Sequence, residues 1–175
     1  MTFDWIAESF AAMAMLINFV AYRQTNINRY RLISGLAMIC LGTHFLLLDA
    51  LAAAIGCYLA FFRNLISMRI QTIDVVVVFV CINLAFFTFE LVVLQNSLFI
   101  LLAYTASIIF TVGTFLISSA HRIRQYFLIA ESLNLVYAII VGSLIGTLGI
   151  VVSILGIVSK IWQERRSVSS MQGTL

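Results

Sequence analysis

The chain has 175 residues, 63% of them hydrophobic and only 10% charged, with a mean hydropathy of +1.11 and a formal charge of +3. An ordinary soluble domain is about a quarter charged, so the composition is that of one integral membrane domain with short tails and leaves no soluble domain over. Three isolated cysteines, Cys40, Cys57 and Cys81, lie inside apolar runs and read as small buried hydrophobes, with neither a metal motif nor a disulfide framework.

A membrane crossing needs about 20 predominantly apolar residues. The opening MTFDWIAES carries Asp4 and Glu8 and no basic segment, so the first apolar run, Phe3 to Tyr22, reads as a retained span rather than a cleaved leader. Leu32 to Ser67 holds 36 residues, roughly 54 Å of helix. That is too long for one crossing, so it folds back, with the turn expected near Leu48–Ala50 because Asp49 is its only acid. Val75 to Glu90 is a fourth span and Leu98 to Ile117 a fifth. Tyr126 to Ser159 is again too long for one crossing and folds back, most simply at Gly142–Ser143.

Seven spans separate the charges. One side receives Arg23, Arg29, Arg31, Arg69, Arg122, Arg124, Lys160, Arg165 and Arg166, with Asp74 and Glu164; the other has Asp4, Glu8, Asp49 and Glu90 and no Lys or Arg. The positive-inside rule places the basic side in the cytoplasm, hence N-terminus out and C-terminus in, with Trp5 and Trp162 near opposite interfaces. The basic loops read as topogenic and lipid-facing. No basic domain stands outside the membrane to meet nucleic acid.

The two fold-back turns, Asp49 and Gly142, lie 93 residues apart. At that offset Arg29 and Arg31 meet Arg122 and Arg124, and Gly56 meets Gly149. Both halves read span, basic loop, span, tight outer turn, span. The expected plan is an all-α polytopic protein of seven helices: residues 3–70 a first triple-helix repeat, 74–95 a linker helix, 97–160 a second repeat in the same orientation, and 161–175 a cytoplasmic tail. Parallel repeats of this kind occur in transporters.

Small residues let membrane helices approach closely. They recur at helical spacing at Gly142, Gly146, Gly149, Ser153 and Gly156. Subtracting 93 gives Asp49, Ala53, Gly56, Ala60 and Arg63, which puts Arg63 on the same face. The first span answers with Ala7, Ala11, Ala14, Asn18 and Ala21, the fifth with Tyr104, Ser107, Thr111 and Thr114. These faces are expected to point into the bundle.

Arg63 then either snorkels to the basic surface or, facing inward, meets an internal partner or a solute, because a charge inside a bundle is costly. Glu131, read as one and a half turns inside the sixth span, is followed by Asn134 and Tyr137 on one side of the helix. A carboxylate there is protonated, paired or wet: it holds a fixed contact with Arg63 or Asn18, or it titrates or binds a solute. His44 reads as a neutral helix–helix contact, with a pH-sensing or ligand role as the alternative. Asp49 is a turn and capping residue, Glu90 is interfacial, and Asn83 and Asn64 bridge helices, with Asn64 alternatively lining a site beside Arg63.

No phosphate-binding loop, dinucleotide fingerprint, zinc-protease motif or nucleophile elbow is present in the sequence; no enzyme activity and no cofactor or metal is expected.

The segment LGTHFLLLDALAAAIGCYLAFFRNLIS, followed by ESLNLVYAIIVGSLIGTLGIVVSILGIVSKI, resembles the YgjV-type family of small bacterial inner-membrane proteins over nearly the whole chain. The resemblance implies the inner membrane as location. The three-plus-one-plus-three plan is similar to the SWEET facilitators, the PQ-loop group and PnuC-type transporters. That likeness implies a solute site between two rocking triple-helix units, with Arg63 and Asn64 as the nearest third-helix candidates. The chain departs from the PQ-loop pattern in having no proline; Gly35, Gly42 and Gly113 are left to supply any bends. The expected function is small-solute transport at a site of Arg63, Asn64, Glu131, Asn134, Asn18 and His44. The alternatives are a non-transporting sensor or subunit whose polar groups satisfy one another and, more remotely, an intramembrane enzyme using His44 and a carboxylate. The expected partners are the bilayer and a small polar solute, with the oligomeric state open.

Overall fold

The computed structural model describes residues 5–48, 51–95, 97–141 and 144–172. Among them it contains seven helices and no strand: α1 Trp5–Tyr22, α2 Ile27–Leu47, α3 Leu51–Ser67, α4 Ile73–Val92, α5 Ile100–Leu116, α6 Ala120–Val141 and α7 Leu144–Gln172. Five, namely α1, α2, α4, most of α6 and residues Gly146–Glu164 of α7, are long and apolar enough to cross a membrane. The apolar helices Ala54–Ser67 and Ile100–Leu116 are shorter. Both over-long runs divide into two helices as expected; the turn positions proposed for them, residues 49–50 and 142–143, lie outside the described residues.

Two helices start earlier than hydropathy suggests. At α2 the reason is a cap: the Asn26 side chain accepts hydrogen bonds from the backbone N–H groups of Asn28 (2.9 Å) and Arg29 (3.1 Å), satisfying donors that a helix start leaves free. Arg29 and Arg31 are therefore helical rather than loop residues. Likewise α6 begins at Ala120, which puts Arg122 and Arg124 in its first turns and Glu131 eleven residues in, about 16 Å along the axis. Glu131 is thus deeper than the one and a half turns expected. At the other end of the chain α7 runs on through Trp162 as helix to Gln172.

The helices pack as a circuit. The pairs α1–α2, α2–α3, α3–α5, α5–α6, α6–α7 and α7–α1 are in contact, and α4 packs on α5. Exchanging α1, α2 and α3 with α5, α6 and α7 maps this circuit onto itself, and the α1–α7 seam becomes the α3–α5 seam. Burial repeats with it. Ala7 and Ile100, Ala21 and Thr114, Tyr22 and Phe115, Tyr30 and Ile123, Arg31 and Arg124, and Ala37 and Ala130 are all buried, and each pair is 93 residues apart.

One core cluster joins Ala21, Tyr22, Tyr30, Ile123, Phe127 and Ile157 across α1, α2, α6 and α7; a second joins Val76, Phe79 and Phe115 between α4 and α5. The glycines considered as bending points serve packing: Gly35 admits Phe61, Gly42 admits Tyr58, and Gly113 lies under the Phe127 ring.

Candidate functional site

The polar interior gathers around two tyrosines. Tyr22 closes α1 and Tyr30 stands one turn into α2; both are buried, with ring centroids 5.8 Å apart. From α6, Glu131 points at this pair. It is 6% exposed and accepts a hydrogen bond from the Tyr22 hydroxyl at 2.7 Å. On α3, Arg63 lies half-buried one turn from the helix end. Its Nη1 donates to Thr111 Oγ1 of α5 at 3.1 Å, and its Nε is buried without a partner. Tyr30 lies within electrostatic reach of both Glu131 and Arg63.

Glu131 therefore meets neither Arg63 nor Asn18, the two partners expected for it. Asn18 instead donates to Ser153 Oγ of α7 at 3.0 Å, joining the α1–α7 seam as the Arg63–Thr111 bond joins the α3–α5 seam. Among the described residues, the ion pairs formed are those of Glu164 with His121 and with Arg124. Glu131 and Arg63 are thus each bonded to a neutral hydroxyl and not to each other.

The other candidates lie around this centre rather than in it. Asn64 is buried and faces α2, its Cβ near the space beside Gly35. Asn134 is half-buried one turn beyond Glu131. His44 is buried toward the opposite end of α2, with Nδ1 2.8 Å from the Ala7 carbonyl of α1; a carbonyl only accepts, so Nδ1 carries the proton. Asn83 accepts from Ser107 and donates to Phe79 O, and Glu90 accepts from Tyr104 at 2.8 Å, so both tie α4 and α5 together. Asp49 lies outside the described residues.

The arrangement has unused capacity. A guanidinium offers five donors and a carboxylate about four acceptor positions, and among the described residues each of these two groups makes one side-chain hydrogen bond.

Sequence reasoning missed two residues altogether. Arg31 and Arg124, read as lipid-facing loop charges, are 0% and 1% exposed. Each reaches helices on both sides of a seam. Arg31 donates to the carbonyls of Ser67 (3.0 Å), Thr114 (2.5 Å) and Ile117 (3.3 Å). Arg124 donates to the carbonyl of Gln24 (2.8 Å) and to the carboxylate of Glu164. The 93-residue match was the available signal; hydropathy was not, because it scores an arginine by type and not by what it touches.

The model of the family Imp-YgjV, described as a bacterial inner membrane protein, matches residues 5–167. The chain belongs to that family and resides in the bacterial inner membrane. No curated protein and no solved structure matches it.

Proposed function

We propose that this YgjV-family protein is a small-solute transporter or facilitator, with its site between two parallel triple-helix units and Arg63, Glu131 and the Tyr22–Tyr30 pair at its centre. The units are α1–α3 and α5–α7, α4 is the linker, and the basic ends face the cytoplasm, with the N-terminus outside. One observation carries this reading. An arginine and a glutamate sit inside the ring, and each is bonded to a neutral hydroxyl instead of to the other. An arginine and a glutamate whose only task were structural would gain most by pairing, because an unpaired charge in the membrane interior is expensive. Held apart, they suit a zwitterionic or doubly polar solute whose anionic end meets Arg63 and whose cationic or donor end meets Glu131. Asn18, Asn64 and Asn134 supply neutral contacts around it, and no catalytic role is assigned to any of them.

A second reading is favoured by the same bonds seen from the other side: Asn18, Arg63 and Glu131 each have a protein partner. The protein would then be a non-transporting sensor or subunit. A thermal-shift screen of the purified protein against amino acids, sugars, nucleosides, vitamin precursors and organic acids separates the two. A ligand bound only by the folded state raises apparent stability. Transport predicts a hit that disappears in both Arg63→Gln and Glu131→Gln while the variants stay folded. No hit, together with strong destabilisation by either substitution, overturns the site and leaves the charges as structural.

A further inference from the structure

The space along the two seams changes from one end of the ring to the other. On α7, Gly156 is in tight contact with α1: a Cβ there would stand 3.1 Å from the Phe19 ring and 3.7 Å from Tyr22. Two turns away on the same face, a Cβ on Gly149 would meet nothing within 4 Å. On α3 the same face carries Arg63, bonded to Thr111 of α5, and two turns away Gly56, where a Cβ would likewise meet nothing within 4 Å. Gly56 and Gly149 are 93 residues apart, so both seams loosen at equivalent positions. Both tight ends lie toward the two buried arginines.

The arginines explain why those ends are closed. The last turn of a helix leaves carbonyls without intrahelical donors, at the negative end of the helix dipole. Arg31 binds such carbonyls at the ends of α3 and α5 at once. Arg124 binds Gln24 just after α1 and Glu164 on α7 at once. Each therefore bridges one helix of its own three-helix unit and one of the other unit. Ile117 and Gln24, the outermost carbonyls held, are also 93 residues apart.

We propose that Arg31 and Arg124 are a pair of equivalent latches that close the basic end of the six-helix ring, one per seam, and that the structure is the state latched there and open beside Gly56 and Gly149. Neither seam can part at its basic end without its arginine leaving one of its two helices. The latches follow from the ring geometry and hold whether or not a solute passes through it.

Single cysteine reporters in lipid nanodiscs, which expose both ends to a charged maleimide, test this in a background with Cys40, Cys57 and Cys81 changed to Ala. Gly56→Cys and Gly149→Cys are expected to label fast, and the buried Thr114→Cys and Ala21→Cys slowly. Adding Arg31→Gln should speed labelling at Thr114→Cys by about tenfold or more, the reaction tracking the open population, with little change at Ala21→Cys. Arg124→Gln should do the reverse. Slow labelling at both glycine positions, or unchanged rates at both buried positions in the Gln variants, overturns the proposal. If the Gln variants are not monodisperse, Arg31→Lys and Arg124→Lys are read by the same criterion. Failure of those to fold also overturns it, since the arginines are then fixed struts.

Discussion

The α1–α7 seam and the α3–α5 seam occupy equivalent places in the ring, yet they are made of different material. At α1–α7 the interior is neutral: Asn18 bonds Ser153, and Gly156 lets Phe19 and Tyr22 come close. Its charge sits at the end, where Arg124, Glu164 and His121 form a chain. At α3–α5 the order is inverted. The residue equivalent to Gly156 is Arg63, so a charge sits in the interior, and the end is held by Arg31 on backbone carbonyls. Glycine permits close backbone approach, whereas a long cationic side chain keeps helices apart and must be hydrogen-bonded. The α1–α7 contact is accordingly the more extensive. The ring thus has one seam held by close packing and the other by a charged side chain.

That contrast can be broken most sharply at the latches. Arg31→Met leaves the Thr114 and Ile117 carbonyls without their arginine donor, while Ser67 O keeps its bond from the Gln71 side chain. With an unsatisfied buried group costing about 1–3 kcal/mol, a loss of roughly 2 kcal/mol or more is expected in thermal unfolding in mild detergent. Arg124→Met frees one carbonyl, while Glu164 keeps His121 and some solvent exposure. It should cost about 1 kcal/mol less than Arg31→Met, since it leaves fewer buried groups unsatisfied. Equal losses would mean that the two ends are energetically alike.

Overpacking the neutral seam comes next. Gly156→Val pushes its branched side chain against Phe19 and should cost about 2 kcal/mol, within the range for inserting bulk into a packed interior. Asn18→Ala removes the Ser153 bond and should cost about 0.6–1 kcal/mol, as interhelical polar contacts in membranes do. Gly149→Ala, on the same face of α7 but beside open space, should stay within about 0.5 kcal/mol, as substitutions away from packed features do. A loss there comparable to that of Gly156→Val, in the same melting experiment, would show that the seam is closed along its whole length.

The sequence made the helices legible and the partners illegible. Run length against bilayer thickness was enough to divide Leu32–Ser67 and Tyr126–Ser159 into two helices each. The starts of α2 and α6 were read too late because their first turns are polar, and a polar first turn looks like loop until its cap and its burial are known. The small-residue faces read from spacing include Ala7, Ala11, Ala14 and Ala21 of α1, which are buried, but Gly56 and Gly149 have no close neighbour. Arg63 and Glu131 stood out as charges in apolar runs, whereas Tyr22, which bonds Glu131, and Tyr30, within electrostatic reach of both, carried no signal beyond being aromatic.

Composition and apolar length alone determined that this is a helical membrane protein, because every span must satisfy its own backbone in lipid and so must be a helix long enough to cross. Only the tertiary structure decided what each interior charge touches. The partners of Arg31, Arg63, Arg124 and Glu131 lie 36 to 109 residues away along the chain, leaving aside the weak contact of Arg31 with Asn28. Which side chains meet at such separations is set by how the helices close into a ring, and no local pattern encodes that closure.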